Sequence, residues 1–154
     1  MAGVKFKQSQ IKPGVTKHRA QALKVHCSEA ITEGDILCIK SMDDSGSFIS
    51  VQVADAAVAA ERVGPMWVAD YSAASGDITP VAVPMKVMDV PTATAGAIAV
   101  NDPIYLDDGG VTGATTDKAA GTGTVIVGRF LAARTSGNAA TKGILWPVGQ
   151  TSLG

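Results

Sequence analysis

The residues able to do chemistry are few and scattered. The two histidines, His18 and His26, fall in or beside a basic N-terminal stretch, and the two cysteines are Cys27 and Cys38. His26 and Cys27 are chain neighbours, and adjacent side chains of a strand point to opposite faces, so they make a poor nucleophile–base pair. No His, Cys and carboxylate set has the spacing of a metal site. No serine stands in the strained turn of a hydrolase nucleophile. Asp43-Asp44 and Asp107-Asp108 could bind a divalent cation, yet their surroundings lack the alternating oxygen ligands and closing glutamate of a calcium loop. Both pairs read as turn formers. The expectation is a protein with no catalytic residue, no cofactor and no metal, and not an enzyme.

Two cysteines are too few for a disulfide framework. One bridge or two thiols both fit, and reduced thiols in the core are the expectation. The chain has 154 residues, enough for one real core, with 17 glycines and an apolar fraction dominated by Ala and Val. Few aromatics and many small residues suit thin β-layers whose burial a neighbouring copy completes. No apolar run approaches membrane-spanning length and no apolar signal segment opens the chain, so a soluble chain made in a cytoplasm, with no membrane, is expected.

Charge divides the chain. Six of the 13 basic residues (Lys5, Lys7, Lys12, Lys17, Arg19 and Lys24) precede the first acid, Glu29, leaving seven to face all 14 acids. Residues 1–24 read as an extended basic arm in which isolated apolar residues (Val4, Phe6, Ile11, Val15) are spaced among polar ones, with Pro13-Gly14 breaking any regular element. The spaced apolar residues suggest a segment that orders by lying on another surface, for example by adding a strand to a sheet edge; a frayed terminus without function is the other reading. Lys5, Phe6, Lys7, Ile11, Lys12, Val15, Lys17 and Arg19 are the candidate contact residues. Six charges would bind phosphate in a salt-dependent way. Without interleaved aromatics or a base-reading module, an acidic protein surface is the better partner than nucleic acid.

Residues 25–154 read as an all-β domain, a small barrel or sandwich. Strands are expected at 23–28, 36–40, 47–53, 62–69, 81–87, near Ile104 and Val111, and at 124–133 and 143–148. The alternation of Ile49, Val51 and Val53 with Ser50 and Gln52 is the clearest. Pro84 marks its strand as an edge or a bulge. Asp55 to Arg62 could hold one or two helical turns with Asp55 as N-cap, and Trp67 and Trp146 are assigned to the core.

The elements recur. Ala30–Ile39 lines up with Ala97–Leu106, Asp43-Asp44-Ser45-Gly46 with Asp107-Asp108-Gly109, and Val63–Ala69 with Val127–Ala133; Ser75-Gly76 and Pro80-Val81 then answer Ser136-Gly137 and Pro147-Val148. A duplicated hairpin unit at 30–84 and 97–148 is one reading. Common turn chemistry in unrelated hairpins is the other.

Two resemblances follow. Glu33–Ile39 resembles the strand before the attachment lysine of biotinyl carrier domains, and Pro84-Met85-Lys86-Val87-Met88 partly matches their Met-Lys-Met hairpin. More than forty residues separate the two pieces here, and Val87 stands in place of the second Met. The broader resemblance begins at Asn101-Asp102-Pro103-Ile104-Tyr105-Leu106-Asp107-Asp108-Gly109-Gly110-Val111-Thr112, followed by a Gly/Ala/Thr-rich loop and Val127-Gly128-Arg129-Phe130-Leu131-Ala132. This order is similar to that of tailed-bacteriophage capsid cement, or head decoration, proteins, and with its weaker first copy it spans about two thirds of the chain. The resemblance implies a small β-barrel or β-tulip, usually a homotrimer. It would sit on the exterior of the expanded capsid, clamp neighbouring major capsid protein subunits, and often reach them with an N-terminal arm. A head-fibre, tail or adhesion module with a glycan-binding surface is the alternative, and exposed aromatics would be its mark.

Overall fold

A computed structural model describes residues 22–91, 96–106, 116–117, 125–137 and 139–148. Among these the chain is all-β apart from one 3-10 turn at Ala59–Arg62. The strands are β1 (Leu23–Cys27), β2 (Ile36–Met42), β3 (Ile49–Val53), β4 (Met66–Ala69), β5 (Ile78–Val83), β6 (Lys86–Val90), β7 (Pro103–Leu106), β8 (Thr116–Asp117), β9 (Ile126–Phe130) and β10 (Thr141–Leu145). The first five close into a barrel of order β1-β3-β2-β4-β5, in which β1 runs antiparallel to β5 and parallel to β3. The others form a second sheet, β6-β10-β9-β7-β8.

Strand periodicity decides which residues meet. Leu37 points into the barrel with Val25, Cys27, Ile31, Val51, Ala69, Val81 and Ala82. Its neighbours Ile36 and Cys38 point the other way and join Met66, Val68 and Val83 on the barrel wall. That wall is buried too, because the inner face of the second sheet (Val90, Ile104, Leu106, Val127, Phe130 and Leu145) lies over it. The barrel is therefore packed from within and from outside.

Three asparto-turns deliver strands. In Thr32–Asp35, Ala74–Asp77 and Ala99–Asp102 the first residue's N–H donates to the Asp Oδ2 at 2.7, 2.9 and 2.9 Å. The Asp N–H returns to the first carbonyl at 3.0, 3.2 and 3.2 Å. The third residue has positive φ in each: Gly34 at 89°, Gly76 at 90° and Asn101 at 72°. Only Gly, or Asn at a cost, takes that conformation readily. The turns lead into β2, β5 and β7 respectively.

Several expectations are corrected. The alternation across 81–87 is two strands in two sheets: β5 ends at Val83, and β6 begins at Lys86 after a bend at Pro84. The proline's missing donor ends the first pairing instead of marking a bulge. The strand expected over 62–69 starts only at Met66, because Gly64 takes a positive φ of 87°. The Ala-rich stretch keeps one 3-10 turn without a side-chain cap. Asp55 instead accepts the N–H of Ala57 at 2.8 Å, closing a local turn. Trp67 is half-buried against the barrel core, whereas Trp146 is 59% exposed. The strand near Val111 and the pair Asp107-Asp108 lie outside the described residues.

The two Val-Gly steps matched in sequence do different work. Gly64 serves a turn. Gly128 sits inside β9, where an added Cβ would fall 2.1 Å from the carbonyl oxygen of Ile144 on β10. Only a glycine allows β9 and β10 to approach this closely.

Candidate functional site

The eight arm residues expected to make contacts, Lys5, Phe6, Lys7, Ile11, Lys12, Val15, Lys17 and Arg19, lie outside the described residues. Of the arm's basic residues Lys24 is described, and its ammonium sits 5.6 Å from the centre of the Phe48 ring. The chemistry-bearing residues of the body are committed to structure. Asp43 accepts the N–H groups of Ser47 and Phe48 at 2.9 and 2.8 Å and the Ser45 hydroxyl at 2.5 Å. Those bonds, the Ser45 hydroxyl foremost, hold its carboxyl below the usual range. It is a turn former, as its setting predicts.

Cys27 and Cys38 are free and buried. Burial, reinforced by the charge of Glu61, pushes the Cys38 thiol up to about 11, and burial with Asp77 raises Cys27. Neutral, enclosed thiols are poor nucleophiles and poor metal ligands.

His26 has a partner that sequence reasoning missed. Its Nδ1 lies 3.0 Å from the Ser50 Oγ, because the parallel pairing of β1 and β3 sets His26 opposite Ser50. The pair borders an open depression of about 440 Å³ with Lys40 and Asp43. Among the described residues no carboxylate bonds the other ring nitrogen, where a catalytic triad has its orienting acid. A second depression of about 330 Å³ is lined by Glu29, Asp55 and Glu61. Glu29 accepts the N–H of Val53 at 2.7 Å and Glu61 that of Asp55 at 2.9 Å. Among the described residues, no cluster of His, Cys, Asp and Glu could hold a metal ion.

Lys86 is also structural. Its ammonium meets the Asp70 carboxylate at 2.9 Å, the Asp70 carbonyl at 2.8 Å and Glu33 at 3.0 Å, with the side chain only 12% exposed. Burial opposes its charge, but the bonds to Asp70 and Glu33 outweigh that and raise its pKa. It clasps the second sheet to the barrel. An attachment lysine needs a projecting amine, which Lys86 does not present.

What the body does offer is an adhesive face. On the outer side of the second sheet, Val87 stands directly opposite Ile144, and Tyr105 opposite Ile126. Trp146 follows two residues after Ile144 on the same side, its N–H bonded to the Val127 carbonyl at 2.7 Å. Val87, Ile126, Trp146 and Val148 are exposed there, and Ile144 and Tyr105 half-buried. Arg129, Lys142 and Asp89 lie on the same face, the last two paired at 3.1 Å. Adjacent exposed apolar residues of this kind mark contact surfaces. The sequence signal was available: Lys142, Ile144, Trp146 and Val148 alternate with buried residues. The sequence alone begins this strand at Gly143 and assigns Trp146 to the core; the strand begins at Thr141 and Trp146 faces outward.

A protein family described as phage cement protein matches residues 15–145 of the chain. No curated protein matches it.

Proposed function

Since the chain belongs to the phage cement protein family, a structural family of the phage capsid, we propose that it binds the outside of the expanded head and cements neighbouring major capsid protein subunits. The observation that carries this reading is the exposed apolar face around Trp146, on a body whose polar groups are spent on turns and clasps. A cement needs a stable body and adhesive surfaces, and no active site. Many weakly bound copies on a lattice act together, because each ties down subunits already held close. Binding the expanded shell and not its precursor stabilises the expanded state by mass action. Lys5, Lys7, Lys12, Lys17 and Arg19 would give the arm charge-steered contact with an acidic coat surface, and Phe6, Ile11 and Val15 would anchor it. The copies would act as homotrimers on the virion exterior.

One observation favours a second reading. Exposed aromatics are what a glycan-binding adhesion module requires, and Trp146 and Tyr71 are exposed. The test is co-sedimentation with expanded heads stripped of this protein. Trp146→Asp, or alanine at Lys5, Lys7 and Lys12, should weaken binding on the order of tenfold or more. Wild-type binding by both variants would sink the cement reading, and glycan-dependent retention of Trp146 protein would favour the alternative.

A further inference from the structure

Pairing in the barrel and in the second sheet follows one pattern. Writing β6 to β10 in place of β1 to β5 turns the antiparallel pairs β1–β5, β2–β3, β2–β4 and β4–β5 into β6–β10, β7–β8, β7–β9 and β9–β10. Register agrees as well. In the barrel Ile36 faces Val68 and Leu37 faces Trp67, as Pro103 faces Arg129 and Ile104 faces Gly128 in the second sheet. Val68 then faces Val83, as Arg129 faces Ile144. The isolated bridges Ile31–Ala73 and Ile98–Arg134 correspond. So do two bonds, from the Ala69 N–H to the Asp35 carbonyl at 2.8 Å and from the Phe130 N–H to the Asp102 carbonyl at 2.9 Å. Agreement that runs through strands and turns alike is more than shared turn chemistry.

The correspondence makes one face recognisable twice. In the barrel it is the outer wall, where Ile36, Cys38, Met66, Val68 and Val83 are buried beneath the second sheet. Across the matched registers Cys38 faces Met66 and Tyr105 faces Ile126, so the counterparts of those five are Pro103, Tyr105, Ile126, Arg129 and Ile144. These lie on the outer side of the second sheet, with Ile126 44% exposed and Arg129 exposed. Apolar character is kept at four of the five positions. The exception is Arg129, which stands where the wall has Val68. It donates to the Asn101 carbonyl at 3.3 Å, and no described carboxylate meets it, since Asp89 is paired with Lys142.

We propose that the outer face of the second sheet receives a β-sheet layer from the coat protein, as the barrel wall receives one from within the chain, and that this layer carries an acid opposite Arg129. The proposal rests on the cement reading and names the partner's chemistry at its adhesive face. A sheet buries an apolar face most fully against another layer, and the wall shows which kind of layer this face accepts. Another copy has no free inner layer to offer, because in each chain that layer lies on its own barrel. Two outer faces meeting across a twofold axis would set like charges, the two Arg129 side chains, on the shared surface.

Co-sedimentation of the full-length protein with stripped expanded heads tests the charge. Arg129→Glu should weaken binding about tenfold or more, and Arg129→Lys much less. A photo-crosslinking benzophenone side chain in place of Ile126 tests the layer: on the heads, peptide mapping should place its adduct in a β-strand of the coat protein. An adduct with a second copy of this chain, or with a helix or loop of the coat protein, would overturn the proposal. So would wild-type binding by Arg129→Glu. Each of those results leaves the cement reading standing, whereas wild-type protein that fails to bind the heads would overturn both.

Discussion

At the residue scale, the polar side chains of this protein are fasteners. Lys86 and Cys38 show how that creates a pH limit. The folded chain holds the Cys38 proton up to about 11, against an ordinary thiol value of 9.0. Between those values the unfolded chain binds fewer protons than the folded one, so stability falls as pH rises. Lys86 adds the same sign. Its ammonium is favoured by folding, so its contribution is complete below 10.5 and is lost as pH climbs through the raised folded value. Urea titrations should therefore show constant stability up to about pH 9 and a decline above it, which Cys38→Val should reduce. Lys86→Met should cost about 1–2 kcal/mol at neutral pH, since Asp70 and Glu33 lose their counter-ion while the stem stays packed. Little of this was legible beforehand. Thiol burial followed from cysteine number, but the partners of Lys86 lie 16 and 53 positions away, and no local pattern announces them.

At the element scale, turn chemistry was the most readable part. Asp-containing turns and alternation located β2, β3, β7 and β9 closely, because φ > 0 positions and hydrogen-bonding carboxylates are local properties. The third copy of the asparto-turn, Ala74–Asp77, lies in a run of small residues whose composition does not tell a hydrogen-bonded turn from an open loop. The break at Pro84 was visible, but not that it hands the chain from one sheet to the other. Trp146 was misplaced because a large aromatic near the end of an apolar strand fits either face, and only register decides. The turns make a graded prediction. Asp77→Ala and Asp102→Ala should each cost about 1 kcal/mol by chemical denaturation. Asp35→Ala should cost more, because Asp35 is 1% exposed and leaves its donors without water to replace it. Equal losses at all three would show that burial adds nothing to this turn.

At the scale of the whole molecule, the burial pattern is unequal between the halves. The barrel encloses a core made wholly of its own residues, Val25, Leu37, Val51 and Val81 among them. Among the described residues the second sheet has no such private interior: Ile104, Val127, Phe130 and Leu145 are buried against Ile36, Met66 and Val68 of the barrel wall. The all-β class was legible from composition and punctuation, but this dependence was not, since alternation does not say which surface a face meets. Expressed alone, residues 84–154 should therefore fail to give dispersed, protected amide signals, whereas addition of the barrel half in trans should restore them. The barrel wall is thus a mould as well as a surface. It also leaves the ribosome first, so each nascent second half emerges beside a template already set, and the order of synthesis guards it against meeting a stranger's edge.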